Sequence, residues 1–507
     1  MNKQLLHYKD KFKIYTANII LLIAIMSADD AFEKVIGRFG KYQSWVMFLI
    51  YIGRLPTDFQ LTNVVFILPS VEYECTDDQV LNTTNYCPCT NPRYDTSNVV
   101  ESVTTTWNLI CNKTQLASFA QSTLQMGILA GSLIYGYLSD RYGRKVTTLT
   151  ALITNVLFII ISGIVPELWM FLVCRFLIGT AVGGTMLCSY ILMVELSGTS
   201  FRPYLTGLTE MAYVTASIIQ PVIAYYVREW RYLQLVTSVP WLFVVLYYWL
   251  LPESPRWLLT MGKKEEAINV LTKIAKWNNR PTENIGAIIE KIEENSLNED
   301  KQKHGSYLDL FKTTRLRIYT IVMALVWFCC GHTFFGINQY IGRLQGNFYF
   351  NVMLSGIFLL PGVVLNILSC LYLQRKVGVI ASFLIAAISL TVFIFIPSNA
   401  YTTSLVFAVF GQMGAYMAFI QIYLYTSEVF PTVVRNSAMG FASMSARVGG
   451  FAAPFVVNVG VEWASITVFS TVALIAGFLC FLLPNTKDTV LLNTIQQTEQ
   501  SERKVKT

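Results

Sequence analysis

The 507-residue chain is 54% hydrophobic and only 14% charged, with a formal net charge of +7. That balance excludes an ordinary soluble globular protein and places the chain among integral membrane proteins. An enzyme is also excluded on motif grounds: there is no zinc-protease helix, nucleophile elbow or phosphate-loop lysine, and the histidines are only His7, His304 and His332, so no metal or cofactor is expected.

The chain opens with a short apolar run, Ile14 to Ala28, behind Lys3, Lys9, Lys11 and Lys13. It looks superficially like a signal peptide. Counting it as a span, or cleaving it, would put the basic loops outside the cell. It is therefore read as an interfacial or dispensable extension within a cytoplasmic segment, residues 1–43.

A spanning helix needs roughly 20 mostly apolar residues. Twelve such stretches follow: Ser44 to Leu68, Leu116 to Leu138, Val146 to Val165, Leu168 to Leu192, Tyr204 to Val227, Leu233 to Leu251, Ile318 to Ile337, Asn347 to Leu373, Val377 to Ile396, Thr403 to Tyr425, Ser437 to Val459 and Trp463 to Leu483. The expected fold is an all-α membrane protein, because helices satisfy their own backbone groups in lipid. Residues 44–251 form one six-helix bundle with an outer loop over 70–115. A cytoplasmic loop with amphipathic helices occupies 252–316, a second six-helix bundle 317–483, and a cytoplasmic tail 484–507.

Charge sets the orientation. The first long loop carries Glu72, Glu74, Asp77, Asp78, Asp95 and Glu101 against Arg93 and Lys113, whereas the short loops on the other side carry Arg141, Arg144, Lys145, Arg202, Arg375, Lys376 and Arg435. The basic side is the cytoplasmic one. Both termini are then inside. The acidic loop also holds Cys75, Cys87, Cys89 and Cys111, which an oxidising exterior lets pair in any of three connectivities. Asn82 and Asn112 head two glycosylation sequons in the same loop. A plasma-membrane location fits these features.

The two halves repeat landmarks. "ELSGTSFR", Glu195 to Arg202, follows the fourth span, and "EVFPTVVR", Glu428 to Arg435, follows the tenth. A glutamate and an arginine at matching places in two six-span halves point to duplication. The loop after the second span reads "GSLIYGYLSDRYGRK", Gly131 to Lys145, with Gly131 and Gly136 allowing close helix approach. This loop resembles the inter-helix signature of the major facilitator superfamily. Its second copy, "LQRKVGVI", Leu373 to Ile380, keeps Gly378 but lacks the acidic residue, so its latch is expected to be weaker.

Five further stretches narrow the resemblance: "TWNLIC" from Thr106, "RFLIGTAVGG" from Arg175, "WRYLQL" from Trp230, "PESPRWLL" from Pro252 and "YTSEVFPTVVRN" from Tyr425. They look like the organic cation, organic anion and carnitine transporter family, with the likeness running from about Asp29 to Leu483. The resemblance implies a polyspecific carrier of small charged organic solutes, with two pseudo-symmetric bundles rocking about a central site. It places Asp140 with Arg141 and Arg144, Glu195 with Arg202, and Glu428 with Arg435 in cytoplasmic ion pairs that hold the halves together while the cavity faces out.

Ionisable residues inside the membrane are functional candidates, because a charge there is costly. Arg54, Asp58, Arg175, Glu210 and Arg447 are the set. Arg54 and Asp58 stand four apart, a spacing suited to mutual pairing, and Arg175 reads as structural. Arg447 lies among Ser443, Ser445, Gly449 and Gly450, small residues that let it face a cavity. By the resemblance, cation carriers place an aspartate at Arg447 and a glutamate at Leu359. Both carboxylates are replaced here, and a planar guanidinium suits a carboxylate.

The expected cargo is therefore an organic anion or a carnitine-like zwitterion, with an organic cation as the alternative. Glu210 is expected either to meet a substrate amine, to pair with Arg447, or to make a structural hydrogen bond. Phe334, Phe335, Phe419 and Tyr423 match the family's paired aromatics, with Tyr213 beside them, and rings accept varied apolar bodies and cations. No nucleic-acid partner is expected; the bilayer and the solute are the partners, and the sequence names no coupling ion. A channel or receptor is the competing class, against which the repeat of two halves counts.

Overall fold

A computed structural model describes residues 28–76, 84–290 and 307–487, apart from 398, 432 and 460. The apolar run Ile14 to Ala28 and the sequon at Asn82 lie outside the described residues, save Ala28 itself. Twelve helical spans are present. Eight helices are long and apolar enough to cross a membrane: Arg144–Ser162, Leu168–Leu196, Trp230–Leu250, Thr314–Ile341, Phe348–Tyr372, Arg375–Ile394, Tyr401–Val429 and Trp463–Leu482. The other four are Lys41–Thr62, Thr114–Tyr142, Arg202–Tyr226 and Arg435–Val457. These are the first, second, fifth and eleventh spans. Their polar residues have a place to go, because they face other protein rather than lipid.

Most spans start or end beyond their apolar stretch. The second continues to Tyr142 and the seventh begins at Thr314. The sixth breaks into Trp230–Val236, a 3₁₀ segment Val239–Leu246 and Tyr247–Leu250. Pro240 has no N–H to continue the preceding helix, which accounts for the break.

Within the first bundle the second and fourth spans pack backbone to backbone. A Cβ on Gly131 would lie 2.1 Å from the Thr180 carbonyl oxygen, and one on Gly179 would lie 2.4 Å from that of Leu124. Only glycine permits this approach. In the second bundle the seventh and eleventh spans meet as closely, with a Cβ on Gly449 falling 2.1 Å from the Phe328 oxygen.

The two bundles touch at the end that carries the disulfide loop. Ser122 Oγ donates to the Phe451 carbonyl at 2.7 Å, and Asn458 Nδ2 to Ser118 Oγ at 2.6 Å. Phe66 of the first half packs on Phe348 and Tyr349 of the second. The structure is thus closed at that end.

The loop itself contains two short antiparallel strands, Tyr73–Cys75 and Pro92–Tyr94, and the disulfides Cys75–Cys89 and Cys87–Cys111. Two of the quoted motifs meet beneath it: Trp107 stacks against Trp230 and Phe171, and Trp230 Nε1 donates to Thr106 Oγ1 at 3.0 Å. At the opposite end, helix Lys264–Trp277 buries Ala267, Leu271, Ile274 and Ala275. Its apolar face shares a cluster with Phe32, Val35 and Ile36 of a short helix, Ala28–Ile36.

Candidate functional site

Three layers of the molecule carry the residues singled out from the sequence. The first is the basic end. Gly143, at φ +101°, turns the chain between the second and third spans, and a Cβ there would lie 2.3 Å from Glu253 Oε2. Glu253 accepts the backbone N–H of Arg144 at 2.8 Å, of Lys145 at 3.0 Å and of Ser254 at 2.8 Å. Burial pushes its carboxyl up from the usual range, opposed by those backbone donors. Trp257 Nε1 adds a bond to the Asp140 carbonyl at 2.8 Å. Thus "PESPRWLL" docks on "SDRYGRK". Glu253 was not among the residues chosen from the sequence, although it stands in one of the quoted motifs.

The ion pairs at this end follow the resemblance at Asp140–Arg144 and differ from it elsewhere. Arg144 grips Glu195 through Nε and Nη2 at 3.1–3.2 Å and Asp140 through Nη1 at 3.0 Å. Arg141 instead donates to Tyr137 at 3.1 Å and lies over the Tyr142 ring. Glu195 ends the fourth span and Arg202 starts the fifth beyond a 3₁₀ turn, Thr199–Phe201, so the described bonds to Glu195 come from Arg144 rather than Arg202.

The second half repeats the arrangement. Arg375 Nε meets Glu428 at 3.1 Å and Thr486 donates to Glu428 at 2.6 Å, while Arg435 turns to the Phe430 carbonyl at 3.4 Å. The supposedly decayed "LQRK" stretch therefore supplies the arginine of a formed pair. Each pair joins elements of one half, not the two halves.

The second layer is aromatic and lies between the bundles. Tyr213 of the fifth span sits 5.9 Å from Phe334 and 6.0 Å from Tyr416. Phe334 contacts Phe335, Tyr416 and Phe419, and Phe419 leads to Tyr423 at 5.7 Å. All five aromatics chosen from the sequence join one continuous set. Two members were missed: Tyr416, whose buried hydroxyl has no partner, and Trp327, whose ring lies 4.5 Å from Tyr423. A signal for Tyr416 was available, since Tyr416, Phe419 and Tyr423 follow i, i+3, i+7 spacing along one helical face.

The third layer is ionic. Arg447 is 7% exposed, and its Nε is buried without a partner. Among the described residues no carboxylate pairs with it. The seventh span presses on Gly449 and Gly450 beside it, fixing the rotation of the eleventh. Glu210 lies instead 3.7 Å from Arg54, whose Nε also meets Asp58 at 3.1 Å. Tyr423 nevertheless lies within electrostatic reach of both Arg447 and Glu210, which puts the two ionic groups around one ring set. Arg175 is fully buried and donates to Gln60 at 3.2 Å; with Gln121, Gln125 and Asn338 it lines a cavity of about 10 Å³, room for about one water.

The family is shown by comparison. The model of the sugar (and other) transporter family matches residues 58–496. Organic anion transporter 3 of Sus scrofa is 35% identical over 79% of this chain and 74% of its own. Solute carrier family 22 member 13 of Homo sapiens is 30% identical over 79% and 72%. The chain is a major facilitator superfamily member of solute carrier family 22. An organic cation transporter-like protein of Drosophila melanogaster is 29% identical over 95% of the carrier and 94% of its own length. The inward-open xylose transporter XylE of E. coli shares the carrier's fold, with a TM-score of 0.64, 19% identity and coverage of 90% and 99%. The carrier is thus a multi-pass membrane transporter of organic solutes, not an enzyme.

Proposed function

We propose that the carrier moves small organic anions and carboxylate-bearing zwitterions of the carnitine kind by alternating access. The supporting observation is Arg447, a guanidinium at the middle of the eleventh span, next to an aromatic set and without a carboxylate partner among the described residues. A buried cation left in that condition favours a ligand that brings its own negative charge. Tyr213, Phe334, Phe335, Phe419 and Tyr423 hold the apolar body, and Tyr416 offers its hydroxyl.

The second reading, transport of organic cations, draws on Glu210, whose side chain keeps 23% exposure near the same rings. In a zwitterion both groups are engaged: carboxylate to Arg447, amine to Glu210.

The proposed orientation places the basic end, both termini and the Arg144–Glu195 and Arg375–Glu428 pairs in the cytoplasm of a plasma-membrane protein. The disulfide loop and the exposed Asn112, a glycosylation site in this reading, lie outside, and Asn82 belongs to the same loop. The two Arg–Glu pairs brace the inner ends of their own bundles during rocking.

The test is uptake of labelled benzoate, carnitine and tetraethylammonium into vesicles holding the full chain. Arg447→Asp removes charged hydrogen bonds worth about 1.5–3 kcal/mol. The expected outcome is a roughly ten- to hundredfold weaker apparent affinity for the two carboxylates, with tetraethylammonium spared. Equal loss of all three probes sinks the proposed charge preference.

A further inference from the structure

The substrate reading uses only Glu210 of a larger ionic cluster, and for a solute without an amine it uses none of it. Arg54 lies on the first span, with Asp58 one turn on, and Glu210 reaches it from the fifth span. Arg54 Nε is 3.1 Å from Asp58 Oδ2. Its Nη2 is 3.4 Å from Asp58 Oδ1 and 3.7 Å from Glu210 Oε1. Two carboxylates therefore share a single nitrogen of one guanidinium.

Among the described residues, the surroundings supply no second cation at close range. The fifth span adds Tyr213 and the tenth adds Tyr416, both within electrostatic reach of Asp58 and Glu210. Tyr423 of the tenth lies within electrostatic reach of both Glu210 and Arg447 of the eleventh. The third span offers only the amide of Asn155, bonded to Thr57, and the fourth offers Arg175, bonded to Gln60. The eighth span presents Gly356 to the Ser217 backbone, and the seventh presents Phe334. With both carboxylates ionised, the cluster has one charge too many for the interior of a membrane. A single proton removes that excess, and like-charged carboxylates around one cation titrate as a pair rather than as two sites.

Asp58 is fully buried, whereas the Glu210 side chain is 23% exposed. Glu210, the more exposed member, is the one through which a proton would enter, passing from hydronium to a carboxylate oxygen with water left behind. We propose that Asp58 and Glu210 share one exchangeable proton above Arg54, and that the carrier moves this proton with its solute. Intramembrane acidic groups of this kind serve as proton relays. The inference rests on the transporter reading but not on the charge preference at Arg447. With the proton bound, the triad is neutral, and Arg447 supplies the net charge of the site.

The first test needs no solute. Infrared difference spectra of the full reconstituted chain, titrated upward from acid pH, are expected to show a protonated-carboxyl band that disappears as the pH rises. Glu210→Gln and Asp58→Asn are each expected to abolish it, because one carboxylate facing Arg54 has no excess charge to neutralise. A band missing from the unmodified chain, or one surviving in either variant, overturns the shared proton. Circular dichroism confirms that each variant is folded.

The second test reads coupling. Vesicles loaded with a pH-sensitive dye and given whichever of benzoate, carnitine or tetraethylammonium the carrier takes up should acidify inside as the solute enters. An inward proton gradient should drive accumulation above the external level. Titration without proton-driven uptake overturns the coupling, whereas loss of anion preference in the Arg447 experiment leaves both proton readouts unaffected.

Discussion

The first and fifth spans occupy the same place in the first bundle as the seventh and eleventh do in the second, yet the two seams are filled in opposite ways. Between the first and fifth lie Arg54, Asp58 and Glu210, together with a hydrogen bond between the Tyr51 and Thr215 hydroxyls at 2.6 Å. Between the seventh and eleventh, glycines bring backbones into contact, at Gly331 against Ala446 and at Gly449 against Phe328. One seam is polar, with Glu210 partly exposed; the other is closely packed, with His332 Nδ1 3.2 Å from the Gly449 carbonyl. The same fold element, duplicated, can thus serve as a place for charge or as a rigid mount. In the second bundle the mount holds Arg447 in position.

The contrast can be broken from either side. The largest effect is expected from Arg54→Met, which leaves two carboxylates uncompensated and costs about 3–5 kcal/mol of stability. Thermal unfolding of the detergent-solubilised protein reads the loss. The deficit should shrink on acidification, because protonating the carboxylates removes the unbalanced charge.

Next comes Gly449→Ala, whose added methyl meets backbone and cannot be accommodated by a side-chain shift. Overpacking of this kind costs about 1–3 kcal/mol, and it should do so without dependence on pH wherever His332, whose Nδ1 lies 3.2 Å from the Gly449 carbonyl, is neutral. A pH-dependent penalty at Gly449, or a pH-independent one at Arg54, would erase the distinction between the seams.

Smaller effects sharpen the comparison at the basic end. Glu195→Gln and Glu428→Gln remove equivalent partners of Arg144 and Arg375, and each should cost about 1–3 kcal/mol, by similar amounts if the two latches are true repeats. Asp140→Asn is the weakest. Its carboxylate is exposed, and the change should cost less than about 1 kcal/mol in the same unfolding assay.

How far the sequence alone could reach is clear from these residues. Apolar runs located every span, because lipid demands them regardless of packing. The aromatic set was also legible: helical spacing places Phe419 with Tyr423, and the resemblance supplied the rest. Ionic partners one helical turn apart were legible too, as Arg54–Asp58 and Asp140–Arg144 show, but partners between more distant helix ends were not. Glu195 and Arg202 look paired on paper, but the chain turns between them at Ser197 and Phe201, and Arg144 from another helix end is nearer. Glu210 and Arg54 are far apart in sequence, and only the packing of two helices brings them together. The pairing of Cys75 with Cys89 belongs to the same class, since three connectivities satisfied the spacing equally.

The Tyr349 hydroxyl, on the eighth span, donates to the Asn98 carbonyl of the cystine-bound outer lobe at 2.5 Å. That lobe is anchored to the first bundle through Trp107, Trp230 and Thr106, so in the proposed alternating access it is expected to travel with that bundle as a visor. Whenever the mouth beneath it parts, Tyr349 has to release the visor's edge and turn to solvent. On the proposed cycle the visor is a moving part, and a clamp binding its rim across to the eighth span is expected to arrest the carrier with its mouth shut.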